Sequence, residues 1–492
     1  MRNIIDLRIY KGIIWNIDYV LKVYPFRISN QEKIKYSNQY IDKFIYQGFK
    51  QFGKDFLKQV KGRFSTLYYD EQEKHLFLAR DWIGEVPLHY LITSNGIYVA
   101  NTILAIRNAT KDQYDYQYIK SFPHSSFQVF ELSNLNQNNF ENSIRSVSPQ
   151  LYLNFREEVK NFQFNIPNSK LNYFKEIRNH IFDSTEKRAK TYGNNKINLL
   201  LSGGLDSLTI AVVLKRLNIE FEAYTISTGH RIGDVAQAIN IAKQLKIKHH
   251  IIELTEKEIS NTFEKAIEIS ESYHLFNIYC AVGMLLLGKK LKEKGLTMAF
   301  SGEAVNEAVG DYTDWIVYHP IKKQEVILQK INQDRIKKVE ERIIYVWGNI
   351  NNSSKYNYQL GSGLAKHAGA RMIKPFYHHQ IQLENPYYDI SVLGRIVSIT
   401  QGDIALLGGK PGLMWEIFKE DFKILDISKK QISNTSKVRL QDNTKNGENG
   451  ITAILLKNGF DQEKAIEIYN KIFDANINIV KNTKRLINNY IS

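Results

Sequence analysis

The hydrophobic pattern divides the chain into two parts. Across residues 4–151, short runs of β-branched and aromatic residues alternate with polar turns, as at 64–69 and 97–100. Runs of this length and composition predict antiparallel strands. A longer segment, 38–58, has the spacing of a helix. The first part of the chain is therefore predicted to form a layered α+β domain.

From residue 171 onwards, helical patterns alternate with short apolar runs. Residues 197–201 predict a buried parallel strand, and 221–227 predict the next strand of the same sheet. Alternation of this kind is typical of a doubly wound α/β domain, here with helical additions. A polar, charged stretch separates the two patterns. The predicted domains are 1–165 and 166–492.

The composition is that of a soluble globular protein. The 492 residues are 43% hydrophobic and 24% charged, which suits a chain of two or three domains. The net charge of +15 comes from scattered lysines, without a basic run or a nucleic-acid-binding module. An anion as small as ATP would use such a charge, so we expect no nucleic-acid partner.

Two further features indicate a cytoplasmic protein without a membrane partner. The longest apolar stretch, 280–288, is too short to span a bilayer, and the start of the sequence lacks the apolar core of a signal peptide. The single cysteine, Cys280, excludes an internal disulfide framework and a cysteine-based metal cluster.

The stretch that carries the clearest chemistry lies between the strand at 197–201 and the helix that follows it. Its glycines permit a sharp turn and close approach to a ligand, and its end is a helix N-terminus that favours anions. Its aspartate is suited to holding a divalent cation against phosphate oxygens. The predicted phosphate-binding residues are Leu201, Ser202, Gly203, Gly204, Leu205, Asp206 and Ser207.

The run Ser-Gly-Gly-x-Asp-Ser resembles the signature of the PP-loop ATP pyrophosphatases, which cleave ATP to AMP and pyrophosphate. An ordinary strand–turn–helix corner would explain a bare Gly-Gly pair, but it does not require the full run. No Gly-Lys-Ser/Thr follows, so the loop is not a Walker A motif. The resemblance implies ATP and Mg²⁺ as cofactors. It also implies that backbone groups at the end of the next strand hold adenine, which marks Tyr224, Thr225 and Ser227.

A second block, 298–312, again turns from a strand into an acidic helix start. It resembles the Ser-Gly-Glu-Gly-x-Asp-Glu motif of asparagine synthetases, whose aspartate coordinates a second magnesium ion. Gly302 and Glu303 match that motif, and Asn306 stands at the aspartate position. The resemblance thus implies Asp206 and Asn306 as the metal ligands and Gly302 as part of the nucleotide site. A capped helix start without a ligand is the alternative.

The first part of the chain contains a block that resembles the glutaminase domain of asparagine synthetases, an Ntn-hydrolase-like fold. The matching positions are Gly62, Phe64, Arg80, Asp81, Gly84, Pro87, Leu88 and Tyr90. The glutamine-using members carry a nucleophilic cysteine directly after the initiator methionine, whereas position 2 here is Arg2. We therefore expect a scaffold domain without glutaminase activity, a loss also seen in the β-lactam synthetase branch.

The amine-accepting half of the site departs from the family patterns. In β-lactam synthetases a Tyr–Glu pair activates the amine. Glu303 stands at the tyrosine position here, and Arg371 and Met372 lie where the glutamate is expected. Glu303 and Glu384 remain as candidate bases. Lys437 begins a segment that resembles the lysine loop of β-lactam and carbapenam synthetases, which implies that it stabilises charge on the intermediate.

Together these resemblances predict an ATP-dependent ligase that adenylates a carboxylate, releases pyrophosphate and lets an amine displace AMP. An amino-acid-derived small molecule or a peptide is the expected substrate, with intramolecular closure as in β-lactam synthetases and a role in antibiotic biosynthesis. A lasso-peptide macrocyclase, a tRNA-modifying PP-loop enzyme and a non-catalytic ATP-binding protein are the alternatives. The sequence leaves the oligomeric state open, a homodimer included.

Overall fold

In a computed structural model, the chain divides into two units. The first comprises Met1–Asn154, Ile267–Ser272 and Ile466–Ile477, and the second comprises Phe155–Ala266, Tyr273–Ala465 and Asn478–Ser492. The residues described are 4–7, 12–15, 23, 38–94, 96–111, 113–114, 118–132, 148–164, 170–193, 196–229, 233–309, 369–399, 407, 409–433 and 450–475.

Two sheets make up much of the first unit, in the part of it that the structure describes. Its strands are β1 (Ile4–Asp6), β2 (Gly12–Ile14), β3 (Gly62–Asp70), β4 (His75–Arg80), β5 (His89–Thr93), β6 (Gly96–Ala100), β7 (Lys120–Ser121), β8 (Ser126–Glu131) and β9 (Gln150–Leu151). The strand orders are β1-β6-β5-β7 and β2-β3-β4-β8-β9. Every pairing is antiparallel except that of β1 with β6. This arrangement agrees with the antiparallel strands predicted from the hydrophobic pattern.

The helices of the first unit are α1 (Asn38–Phe52), α2 (Lys54–Gln59) and α3 (Ile103–Ala109). The segment predicted as one helix over 38–58 is thus two helices. The break falls at Gly53, whose φ of 64° lies in the left-handed region that glycine tolerates and that interrupts a right-handed helix. The single-helix prediction was wrong at this glycine.

Arg80 and Asp81 are structural residues of the first unit. Both are buried, and each hydrogen-bonds to backbone groups. Arg80 donates to the carbonyl oxygens of Gly84 (2.6 Å), Val86 (2.8 Å) and Phe122 (2.8 Å). Asp81 accepts from the N–H groups of Phe64 (3.2 Å), Ile83 (3.1 Å), Glu85 (2.9 Å) and Val86 (3.1 Å). Burial lowers the pKa of Arg80 to about 10. These bonds satisfy loop groups that would otherwise be buried without partners.

The second unit contains a five-stranded parallel sheet. Its strands are β10 (Ile197–Leu200), β11 (Phe221–Ser227), β12 (His249–Glu253), β13 (Met298–Phe300) and β14 (Gln382–Glu384). They lie in the order β12-β11-β10-β13-β14, and all are parallel. The order reverses between β10 and β13, and at such a switch point two loops diverge and leave a crevice at the carboxyl edge. The mixed α/β class and the two-part layout predicted from the sequence are confirmed.

Among the described residues of the second unit, helices lie before, between and after the strands of this sheet along the sequence. They are α4 (Phe155–Phe164), α5 (Lys170–Thr191), α6 (Leu205–Arg216), α7 (Gly233–Gln244), α8 (Glu256–Ser270), α9 (Leu275–Glu293), α10 (Val305–Val309), α11 (Lys374–His378), α12 (Ile390–Ser398), α13 (Gly409–Ile424), α14 (Lys429–Ser433), α15 (Ile451–Lys457) and α16 (Gln462–Phe473). The end of α8 and most of α16 belong to the first unit. Among the helices described, none is long and apolar enough to cross a membrane.

Stability at acid pH should depend on a charge cluster on β11. The Glu222 carboxylate accepts a hydrogen bond from His250 (2.6 Å) and contacts the ammonium groups of Lys196 (3.1 Å) and Lys248 (3.4 Å). These partners, His250 above all, lower the pKa of Glu222 to about 2. A carboxyl whose pKa is depressed by folding stabilises the protein above its unfolded pKa, and that stability is lost as the pH falls through the folded value.

We therefore expect the thermal unfolding temperature to decrease as the pH is lowered from about 4.5 to about 2. The decrease should be less steep in Glu222→Gln. Thermal unfolding across this range measures both slopes. Glu220→Gln is the matched control, because that carboxylate contacts Lys196 from a position that is 79% exposed. Identical slopes for the wild type and Glu222→Gln would contradict the assignment.

Candidate nucleotide and acceptor site

The loops that follow β10 and β13 meet at the carboxyl edge of the parallel sheet. Gly302, two residues after β13, lies against the start of α6. A Cβ on Gly302 would approach the carbonyl carbon of Asp206 to 2.7 Å and the nitrogen of Ser207 to 2.8 Å. Only a residue without a side chain permits this contact. The two motifs singled out in the sequence therefore form one site.

The loop at 202–207 is held in shape by its own polar groups. Ser207 Oγ donates to the Gly204 carbonyl (3.1 Å) and accepts from the Ser202 N–H (3.2 Å). Gly203 has a φ of 80°, and a Cβ there would lie 2.2 Å from the carbonyl oxygen of Asp234. No side chain caps the N-terminus of α6 at Gly204, so its first N–H groups face the loop in the manner of anion-binding helix starts.

Lys410, near the start of α13, contacts one residue from each of the two motifs. Its Nζ lies 3.1 Å from Asp206 Oδ2 and donates a very short hydrogen bond to Asn306 Oδ1. The hydroxyl of Tyr387 donates to the Asp206 carbonyl at 3.2 Å, and burial raises the pKa of that hydroxyl. Lys410 was not predicted from the sequence. The Gly-Lys-Pro run at 409–411 is a helix-start pattern, but it does not indicate which residues the lysine contacts.

Asp206 and Asn306 differ in how well they suit a magnesium ion. Protein-bound Mg²⁺ prefers one or two carboxylates together with substrate phosphates, and Asp206 meets that requirement at the end of the phosphate-binding loop. Asn306 contributes no charge, and its carbonyl oxygen accepts from Lys410. Within the described ranges, no group of three His, Cys, Asp or Glu side chains is placed to hold a metal. The predicted magnesium site fits Asp206 and fits Asn306 poorly.

Glu303 and Arg371, which the sequence analysis assigned to the amine-accepting half, form an ion pair. Arg371 Nη2 lies 2.9 Å from Glu303 Oε2, and the guanidinium stands 5.4 Å from the ring centre of Phe276. Arg371 is buried, whereas the Glu303 side chain is 25% exposed. Ala304 follows with a φ of 99°, a backbone conformation that favours glycine. Glu303 is thus a partly accessible carboxylate, paired with Arg371, on a turn of restricted backbone geometry.

The carboxylate of Glu384 is engaged elsewhere. Glu384 is fully buried on β14, accepts a short hydrogen bond from the Tyr192 hydroxyl, and pairs with Arg188 Nε at 3.6 Å. Arg188 also donates to the Tyr388 carbonyl at 2.9 Å. A carboxylate held in this way has no solvent access. We therefore assign Glu384 to the support of the sheet, which disagrees with the prediction that it acts as a base.

The residues predicted to contact adenine have side chains that hold the sheet together. Tyr224 stacks on His250 with ring centres 4.6 Å apart, and Thr225 lies 2.8 Å from His249 Nε2 and bonds to the Leu201 carbonyl. Ser227 Oγ accepts from the N–H of Gly229 at 3.1 Å. An adenine contact at this edge would therefore rely on backbone groups around the end of β11. Lys437 and its loop lie outside the described residues, and its role stays a prediction.

Models of two known protein families match separate segments of this chain. A model of the asparagine synthase family matches residues 176–385, and a model of the glutamine amidotransferase domain matches residues 9–164. Together the two matches support a relationship of these segments to the asparagine synthetase superfamily. The match to the synthase family includes the loop at 202–207 together with Glu303 and Asn306.

Several curated asparagine synthetases are similar to about half of the chain. The glutamine-hydrolysing asparagine synthetase B of Escherichia coli (strain K12) is 26% identical over 281 residues, 53% of this chain and 45% of that protein. The Gallus gallus enzyme is 24% identical over 278 residues (54% and 48%), and an Arabidopsis thaliana enzyme is 26% identical over 288 residues (56% and 45%). The match thus spans less than half the length of these relatives. Lys410 and Lys437 lie beyond the range matched by the synthase model.

Proposed function

We propose that the second unit is an ATP-dependent ligase of the PP-loop type that adenylates a substrate carboxylate and then forms an amide as an amine displaces AMP. The observation that carries the proposal is the loop at 202–207, which opens on the start of α6 beside Asp206 and Lys410. Uncapped N–H groups and a partly buried ammonium together suit a pyrophosphate leaving group. The asparagine synthetases similar to this chain support the reaction class.

Each residue of the nucleotide half has a distinct role in this proposal. The N–H groups at the start of α6 bind phosphate oxygens, and Gly302 lets the two loops approach closely enough to enclose them. The Lys410 ammonium, whose side chain is 12% exposed, neutralises charge that develops on the departing pyrophosphate. Asp206 would hold a magnesium ion, which would supply further positive charge to stabilise the phosphates.

We further propose that the first unit is an Ntn-hydrolase-like scaffold that does not hydrolyse glutamine. The only cysteine of the sequence, Cys280, is buried in α9 of the second unit. Arg80 and Asp81, two of the residues that match the glutaminase pattern, are buried and hydrogen-bond to backbone groups. The amine then comes from free ammonia, a second substrate or the adenylated molecule itself. Intramolecular closure, as in β-lactam synthetases, benefits from a high effective molarity.

Glu303 is the proposed acceptor of the amine proton, and Arg371 positions it. Glu303→Gln should lower amide formation by about 10²- to 10⁴-fold, the usual contribution of a general base, and leave carboxylate-dependent ATP–pyrophosphate exchange nearly unchanged. Single-turnover measurement of amide formation beside the exchange assay separates the two steps. Glu416→Gln, which removes an acid paired with Lys419 on α13, is the control. Equal loss in both assays would show that Glu303 acts before the amine attacks.

The reaction itself is tested by product analysis. The full chain, ATP and magnesium are incubated with a panel of amino-acid-derived carboxylates, with and without ammonia. We expect AMP and pyrophosphate in equal amounts and an amide, cyclic or linear, by mass spectrometry. A non-catalytic ATP-binding protein is the second candidate, favoured by the amide at Asn306. It predicts ATP binding without AMP formation for every member of the panel.

A further inference from the structure

We propose that this chain binds ATP with one magnesium ion, at Asp206, and that the Lys410 ammonium occupies the position of a second cation. The inference rests on the proposed function and specifies its metal requirement. It starts from the side chain at position 306, which is an amide where the resemblance leads one to expect a carboxylate. The Lys410 ammonium lies between that amide and Asp206 and contacts both.

The charges of the three side chains oppose a second divalent ion. Asp206 contributes one negative charge, Lys410 one positive charge, and Asn306 none, so the set is neutral. A carboxylate at position 306 would make the set negative by one unit. Mg²⁺ sheds its water reluctantly and relies on charged oxygen ligands. An ammonium within hydrogen-bond distance of both other side chains would also repel it.

The backbone on both sides of Lys410 is constrained, which fixes the point from which its side chain extends. Gly409 has a φ of 81°, and a Cβ on Gly412 would lie 1.7 Å from the Leu407 carbonyl oxygen. Pro411 fixes its own φ within the first turn of α13. The Lys410 side chain is 12% exposed and that of Asp206 15%, so water screens their attraction little. Lys410 is therefore held by the fold and is more than a surface lysine that happens to lie near an acid.

Metal counting tests the proposal without reference to catalysis. The full chain is titrated with Mn²⁺ in the presence of α,β-methylene-ATP, and bound Mn²⁺ is counted by electron paramagnetic resonance. We expect one ion per nucleotide in the wild type and two in Asn306→Asp. The affinity of Asn306→Asp for the second ion should exceed any residual affinity of the wild type for a second ion by about tenfold or more, the scale on which groups around a metal site tune affinity. Asn218→Asp adds the same charge beyond the opposite end of α6 and should still bind one.

The outcomes separate the two proposals. Two ions in the wild type would overturn the inference whatever the variants do, and so would a single ion in both the wild type and a nucleotide-binding Asn306→Asp. Either result leaves the ligase proposal standing, because the nucleotide is still bound. Failure of the wild type to bind the nucleotide analogue at all would reject the proposed function, and the single-ion inference with it.

Discussion

Asp206→Asn should reduce ATP–pyrophosphate exchange by about 10³-fold, because a metal at this position supplies several kcal/mol of charge stabilisation. The substitution keeps the size of the side chain and removes its charge. Asp206 is the acidic side chain of the proposed phosphate-binding loop, and its Oδ2 lies 3.1 Å from Lys410 Nζ. Exchange measured at saturating magnesium and ATP reports the adenylation step alone, so the acceptor half of the site does not affect the result.

Asp234→Asn is the control for Asp206→Asn. Asp234 begins α7 and meets the same loop through its carbonyl oxygen, next to Gly203. The loss of its side-chain charge should change exchange by less than about threefold, the scale of a partly exposed charge interaction. Comparable losses in the two variants would mean that general electrostatics around the loop, and not a metal at Asp206, governs the reaction.

Arg188→Met should destabilise the second unit by about 3–5 kcal/mol, the usual effect of breaking a buried ion pair. Arg188 and Glu384 are both buried, and the variant would leave the Glu384 carboxylate without its cation. The bond from Arg188 to the Tyr388 carbonyl would be lost as well. The midpoint of urea unfolding, monitored on the transition of the second unit, measures the change.

Lys187→Met provides the comparison on the same helix. Lys187 pairs with Asp183 one turn away at 2.5 Å, but both side chains are exposed, so its removal should cost less than about 1 kcal/mol. The double variant Arg188→Met/Glu384→Gln should regain part of the lost stability, since it removes the uncompensated charge. An Arg188→Met protein as stable as Lys187→Met would refute the structural role of Glu384.

The parts of the site that are contiguous in sequence could be predicted from it. A strand, a glycine turn and a helix start follow one another within 197–214, so local pattern alone located the loop to which we assign phosphate binding. Lys410 could not be found in this way, because it is 204 positions from its partner Asp206. Its contacts depend on how α13 packs against α5 and α6, which no local pattern encodes.

The acceptor half shows the same limit. Glu303 and Arg371 were each noted as departures from the family patterns, but they are 68 positions apart, and their pairing required the fold. Glu384 was predicted as a base because it is one of the carboxylates that remain near the positions of the missing Tyr–Glu pair. Its burial follows from its position on β14, between the rest of the sheet and α5. The break at Gly53 had a local signal, since glycine is the poorest helix former after proline.

The most direct test of the central claim is carboxylate-dependent ATP–pyrophosphate exchange by the full chain. Labelled pyrophosphate is added with ATP, magnesium and each member of a panel of amino-acid-derived carboxylates, and no amine is supplied. We predict that label enters ATP with at least one carboxylate and does not enter without it. No exchange with any carboxylate under conditions where ATP is bound, or release of ADP and phosphate instead of AMP and pyrophosphate, would contradict the account.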